Sequence, residues 1–146
     1  MNSRREPKAI KLTIDSRLEN IGLLGLAVQT LCADLGFSKV EAYQIQLCVV
    51  EAVTNVVKHA YRGQPGKEAT VVATLHPQRI SFQVLDTGET MESLSRAPRE
   101  FDPADLAALP ESGMGLHLIH TIMDEVDYQT TGGVNILTMT KHLSRD

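Results

Sequence analysis

Tryptophan is absent, and three Phe and three Tyr among 146 residues are too few for the aromatic platforms that hold single-stranded nucleic acid. Cysteine is scarce as well. Cys32 and Cys48 lie in apolar helical patterns without CxxC spacing, which predicts two buried, reduced thiols and neither redox nor metal chemistry. Positive charge is in deficit: 14 Lys and Arg face 18 Asp and Glu, a formal net charge of -4, so broad adhesion to nucleic acid or an anionic membrane is disfavoured. No apolar signal region opens the chain and no stretch approaches the roughly 18 apolar residues of a membrane span, so a cytoplasmic location is expected. A GKS or GKT phosphate loop, an HExxH pair, internal repeats, low-complexity tracts and domain linkers are all missing. What remains is one domain over residues 1–146, of a size that buries roughly two thirds of its unfolded surface without disulfides or a structural metal.

The charge is unevenly spread. Arg4, Arg5, Lys8, Lys11 and Arg17 make the start basic, whereas residues 86–111 hold seven acids against Arg96 and Arg99. Apolar–polar alternation over 9–14 (Ile10, Leu12, Ile14) predicts a half-buried strand. Helical spacing over 18–35, stopped by Gly36, predicts a first helix. Ser38 as N-cap with Glu41 as its capping-box partner starts a second, expected to run through Tyr61 and end near Arg62-Gly63. Strand-like runs at 69–75 and 79–86 flank His76-Pro77-Gln78, a hairpin signal. Residues 87–112 form a long aperiodic connection, in which Asp102-Pro103-Ala104-Asp105 announces a short helix through Leu109. A third main helix is expected after Gly113-Met114-Gly115, then two strands about Gly132-Gly133. This order predicts an α+β fold, a two-layer sandwich with helices on one face of a mainly antiparallel sheet.

Chemistry is concentrated at few positions. Glu51, Asn55, Lys58 and His59 follow one another at four, seven and eight residues, and with Gln44 they share a helical stripe amid Val, Ala, Leu and Ile. Such a stripe faces a cavity, a ligand or solvent rather than the core. Asp86 falls in phase with Ile80, Phe82 and Val84, so its carboxylate points inward and needs a partner; a turn role before Gly88 and a ligand amino group both satisfy that. Gly113 and Gly115 before a helix suit phosphate, since free N–H groups and the dipole favour anions there. His117, His120 and His142 lack a metal-binding pattern and read as structural or surface residues.

In order, EAVTNVVKHAY (51–61), DTG (86–88) and GMGLHLIHTIMDEVDY (113–128) resemble the N box and the two glycine boxes of the GHKL ATPases, the histidine-kinase-like superfamily. The short chain and its ending in VDYQTTGGVNILTMTKHL resemble the stand-alone anti-sigma factor serine/threonine kinases of partner-switching systems, over about Lys8 to Leu143. The resemblance implies the Bergerat, histidine-kinase-like fold and binding of ATP and Mg²⁺. It implies Glu51 as catalytic base, Asn55 as Mg²⁺ ligand and Asp86 as acceptor of the adenine amino group. It has Gly88 leaving room for the base, His59, Gly113, Met114, Gly115 and Leu116 completing the cofactor site, and the 87–112 connection as a lid. The implied partners are a sigma factor and an anti-sigma factor antagonist carrying the phosphoacceptor Ser or Thr, with a homodimer expected and neither nucleic acid nor membrane. Two departures stand out: Glu89-Thr90 follows Gly88 in place of a second glycine, and Met114 occupies a position that is often Arg. The alternative function is a catalytically inactive, nucleotide-gated module that sequesters a regulatory partner; loss of Glu51 or Asn55 would mark it, and both are present.

Overall fold

Alternation at the N-terminus becomes an edge strand, β1 (Lys8–Asp15), which leads into helix α1 (Leu18–Leu35) and helix α2 (Lys39–Asn55). Strands β2 (Glu68–His76) and β3 (Arg79–Asp86) follow, then α3 (Glu111–Ile122), β4 (Glu125–Thr131) and β5 (Val134–His142). The computed structural model describes residues 6–91 and 111–144, with only the backbone of 111–114; the short helix expected over 102–109 lies outside the described residues. The strands form one sheet in the order β1-β2-β3-β5-β4, and each neighbouring pair is antiparallel. This is the expected α+β arrangement.

The helix boundaries have visible causes. α1 ends because Gly36 takes the left-handed conformation (φ 117°), and its N–H caps the carbonyls of Cys32 and Ala33. α2 starts on the expected capping box, in which the Glu41 N–H donates to Ser38 Oγ (3.1 Å) and the Ser38 N–H to Glu41 Oε1 (3.2 Å). Gly25 lets the two helices meet, since a Cβ there would lie 2.9 Å from Val50 Cγ2. Contrary to the expectation that no stretch nears a membrane span, α1 is long and apolar enough to cross one by length and composition. Here it instead packs through Ile21, Leu24, Gly25, Val28 and Cys32 while Leu23 and Leu26 stay exposed.

Both hairpins lie where their turn residues place them. Pro77-Gln78 joins the paired His76 and Arg79, and Gly132-Gly133, with φ of 59° and 81°, joins β4 to β5. One sheet face is covered. Val71 and Ala73 of β2, Ile80, Phe82 and Val84 of β3, and Leu137 and Met139 of β5 are buried with Val28, Ile45, Val49, Val53 and Ile119. Cys32 and Cys48 are free thiols in this core, and burial pushes each up to about 12. On the edge strand β1, Leu12 and Ile14 pack on the core but Ile10 is exposed.

Two boundaries differ from expectation. α2 stops at Asn55 and the chain continues as a π-helical turn, Val56–Ala60, in which the Tyr61 N–H reaches back to the Val56 carbonyl (2.9 Å). Propensity does not reveal such a turn, which inserts a residue into the helical ladder. α3 begins at Glu111, so Gly113-Met114-Gly115 lies within the helix and not before it.

Candidate functional site

The central strands β3 and β5 set Asp86 opposite Asn135. Both are buried, at 4% and 1% exposure. Asp86 Oδ1 accepts from the Gly88 N–H (2.9 Å) and from Asn135 Nδ2 (2.9 Å). Oδ2 takes neither bond and is the oxygen open to a ligand donor. Burial raises the Asp86 carboxyl above its ordinary value, and the bonds from Asn135 and Gly88 oppose that rise. The inward Asp86 read from strand phase is therefore where it was expected, and the turn role and the open oxygen coexist.

Segment 87–91 is fastened on two sides. The Thr87 N–H donates to Tyr61 Oη (3.0 Å), whose hydroxyl donates onward to the Glu68 carbonyl (2.5 Å). The Glu89 N–H donates to the Ala60 carbonyl (2.9 Å), and Arg62 Nη2 donates to Glu89 Oε1 (3.0 Å). On the other side the Met91 N–H donates to Tyr128 Oη (3.0 Å). Gly88 is needed for a reason besides the expected room for a base: a Cβ there would overlap the Ala60 carbonyl. Thr90, at the position of the missing second glycine, donates its hydroxyl to Asn135 Oδ1 (3.1 Å). A cavity of about 460 Å³ opens between Tyr61, Arg62 and Lys67 on one side and Thr87–Glu89 on the other; Glu51, Asn55 and Asp86 do not line it.

The helical stripe divides by burial. Asn55 is 4% exposed, and its carboxamide takes no hydrogen bond among the described residues. Glu51 is half-buried, and Gln44, Lys58 and His59 are exposed. His59 thus stands on the outer side of the π turn, whose buried residues are Val56, Val57 and Ala60. α3 crosses the stripe: Gly115 is buried, and a Cβ there would overlap the Glu51 carboxylate. Gly113 sits in the first turn, where backbone N–H groups have no partner within the helix, whereas Gly115 lies beyond it. Leu116 is half-buried one residue further, and Gly113 and Met114 are placed by backbone alone.

The remaining histidines are elsewhere. His117 is exposed, His120 is half-buried with its imidazolium disfavoured by burial and by His117, and His142 contacts Glu125 (2.9 Å). Among the described residues no cluster of His, Cys, Asp and Glu could hold a metal ion by itself. Asn55 nevertheless suits a hard cation that also binds phosphate: the residue is largely buried, its carboxamide takes no hydrogen bond among the described residues, and such ions prefer oxygen ligands with few from protein. Asp86 with Oδ2 open suits a nucleobase amino group. The sequence reading missed Asn135, Tyr61, Thr90 and Tyr128. Asn135 had a signal, a polar side chain in phase with the core residues Leu137 and Met139; the others depend on long-range pairing.

A family model described as the histidine kinase-like ATPase domain matches residues 14–141. The serine-protein kinase RsbW of Halalkalibacterium halodurans is 33% identical over 145 residues, covering 97% of this chain and 87% of its own length. RsbW of Bacillus cereus is 30% identical over 141 residues, covering 94% and 86%. Among solved structures, the crystal structure of the RsbU and RsbW domains of Rv1364c from Mycobacterium tuberculosis superposes with a TM-score of 0.67 at 18% identity, over 95% of this chain and 33% of that one. That likeness bears on the fold alone.

Proposed function

This chain belongs to the histidine kinase-like ATPase domain family, and within it we propose that it is an ATP-dependent protein serine/threonine kinase of the cytoplasm. In this reading it is an anti-sigma factor in a partner-switching system: it holds a sigma factor inactive and phosphorylates an anti-sigma factor antagonist. The observation that carries the reading is the nearly full-length likeness to serine-protein kinases in a chain that keeps Glu51, Asn55 and Asp86 at the ends of its core elements.

Each side chain has a task consistent with its surroundings. Asp86 Oδ2 accepts the adenine amino group from a carboxylate already held on Oδ1. Asn55 offers its carboxamide oxygen to Mg²⁺, which when bound supplies charge neutralisation for the phosphates. The Gly113 N–H, in the first turn of α3, would be available to the phosphates, since a helix start favours anions. Glu51 would orient the acceptor hydroxyl and take its proton onto the carboxylate as the oxygen bonds to the γ-phosphorus and the bond from that phosphorus to the bridging oxygen breaks, releasing ADP, so the protein's contribution is alignment and proton removal.

A homodimer belongs to the same proposal. α1 exposes Leu23 (69%) and Leu26 (56%), and β1 presents an unpaired edge; sedimentation of Leu23→Glu, expected to be monomeric, tests it.

The kinase reading is tested by incubating the protein with ATP, Mg²⁺ and its cognate antagonist. Phosphate should appear on the antagonist, and Glu51→Ala should cut transfer at least about a hundredfold while nucleotide binding persists. Nucleotide binding with no transfer from the wild-type protein would favour the inactive sequestering module instead.

A further inference from the structure

Asn135 uses its whole hydrogen-bonding capacity within the protein. Its amide nitrogen donates to Asp86 Oδ1 (2.9 Å) and the Gly88 carbonyl (3.0 Å), with the Glu89 carbonyl near (3.4 Å). Its carbonyl oxygen accepts from Thr130 Oγ1 (2.8 Å) and Thr90 Oγ1 (3.1 Å). Turning the amide over would set its oxygen against three acceptors, so one orientation is enforced. One side chain thereby joins the end of β3, the first residues after it, and both strands of the β4–β5 hairpin. Asn135 itself is 1% exposed, while Thr90 and Thr130, which cap its oxygen, lie at the surface.

The consequence falls on Asp86. A carboxylate at a strand end can rotate about its last side-chain bond and present either oxygen. Two donors converging on Oδ1 remove that freedom and leave Oδ2 as an acceptor of fixed direction. An exocyclic amino group meets this oxygen favourably, whereas a keto oxygen at the same place meets lone pairs with lone pairs. We propose that Asn135 is the positioning residue for base selection, locking Asp86 so that the site takes adenine nucleotides and rejects purines lacking the amino group. Thr90 completes the device by occupying the Asn135 oxygen, which a glycine at that position would leave to Thr130 alone. The inference rests on the reading of Asp86 as the base acceptor.

The test measures affinities of the full chain for ATP and for purine riboside triphosphate, which is ATP without the amino group. The wild type should prefer ATP by about tenfold or more, the worth of one positioned charge-assisted hydrogen bond. Asn135→Asp keeps the shape and removes the donor, and Asn135→Val removes both donor and acceptor without adding charge, so one folded variant suffices. In either, the preference should shrink to about twofold or less, with the loss falling on KM for ATP more than on kcat. Circular dichroism melting run alongside isolates folding. A variant that melts earlier but keeps the wild-type preference, or that weakens both nucleotides equally, overturns the inference. Wild-type indifference to the amino group would instead defeat the Asp86 reading itself. A preference abolished by Asp86→Asn yet untouched in both Asn135 variants would defeat the Asn135 role alone.

Discussion

The end of the site around Asp86 and the end around Glu51 and Asn55 treat polar groups differently. Around Asp86 nearly every donor and acceptor is spent on the protein: Asn135, Thr90, Thr130 and the Gly88 N–H form one connected set, and Tyr61 holds the adjoining Thr87 N–H. Around the helix, Asn55 is buried with its carboxamide uncommitted, and Glu51 is held by close packing of Gly115. A satisfied network costs little to keep buried and fixes direction. An amide with no protein partner is left available to a ligand, with no internal hydrogen bond to be broken first. The first end is therefore suited to selection and the second to chemistry.

Breaking the first end should show most in stability. Gly88→Ala drives a Cβ into the Ala60 carbonyl, and because backbone meets backbone neither side can yield cheaply. A loss of about 3 kcal/mol is expected, lowering the melting temperature by roughly 6–12 °C, as calorimetry would register. At the second end, Gly115→Ala pushes against the Glu51 carboxylate and should appear mainly in rate. Phosphate transfer is expected to fall about a hundredfold, as for a reacting group displaced by about 1 Å. The same exchange at Gly22, with nothing within 4 Å, should raise stability by up to about 1 kcal/mol. Unchanged transfer in Gly115→Ala would remove the distinction between the two ends.

Asp86→Asn separates stability from binding within one residue. Burial raises the folded carboxyl above its ordinary 3.8, so its favourable contribution is present below that value and is lost as pH rises through the raised one. At neutral pH the ionised carboxylate is thus a net cost without ligand. The variant should melt slightly higher than wild type at pH 7, lose that advantage below about pH 4, and show no further rise on adding ATP. The smallest effect is expected on the rim: Arg62 and Glu89 are 73% and 55% exposed, and Arg62→Ala should cost no more than about 0.5 kcal/mol and less in high salt. A large loss there would mean that the rim, too, belongs to the connected set.

Much of this was legible in the chain itself, for local reasons. Residues 18–35, the Ser38–Glu41 box and the glycine hairpin announce themselves because caps and turns act over a few residues. Asp86 was legible as inward-pointing because strand phase is strict. The π turn was not, since Val56–Ala60 has ordinary helical residues and the widened turn is set by packing beneath it. The start of α3 at Glu111 was missed because two glycines look like a loop; Gly115 is tolerated for its closeness to Glu51. Gly88 was assigned to making room for a ligand, and its tight fit against the Ala60 carbonyl, a second reason for a glycine, depends on a partner the chain does not announce. Tyr61, Thr90 and Tyr128 gain meaning only through partners 26, 45 and 37 residues away.

The place of β5 between β3 and β4 also governs when the protein can become competent during synthesis. Asp86 leaves the ribosome well before Asn135, its partner 49 residues later, and until then β3 is a bare edge with a carboxylate lacking its donor. Closing so long a span is slow compared with forming the local hairpins. A nascent chain therefore gains nothing from nucleotide until its last strand has emerged. Truncation just before Val134 would remove selection of the base along with the strand that joins β3 to β4, leaving the first two helices and strands β1–β3 as the segment that forms early.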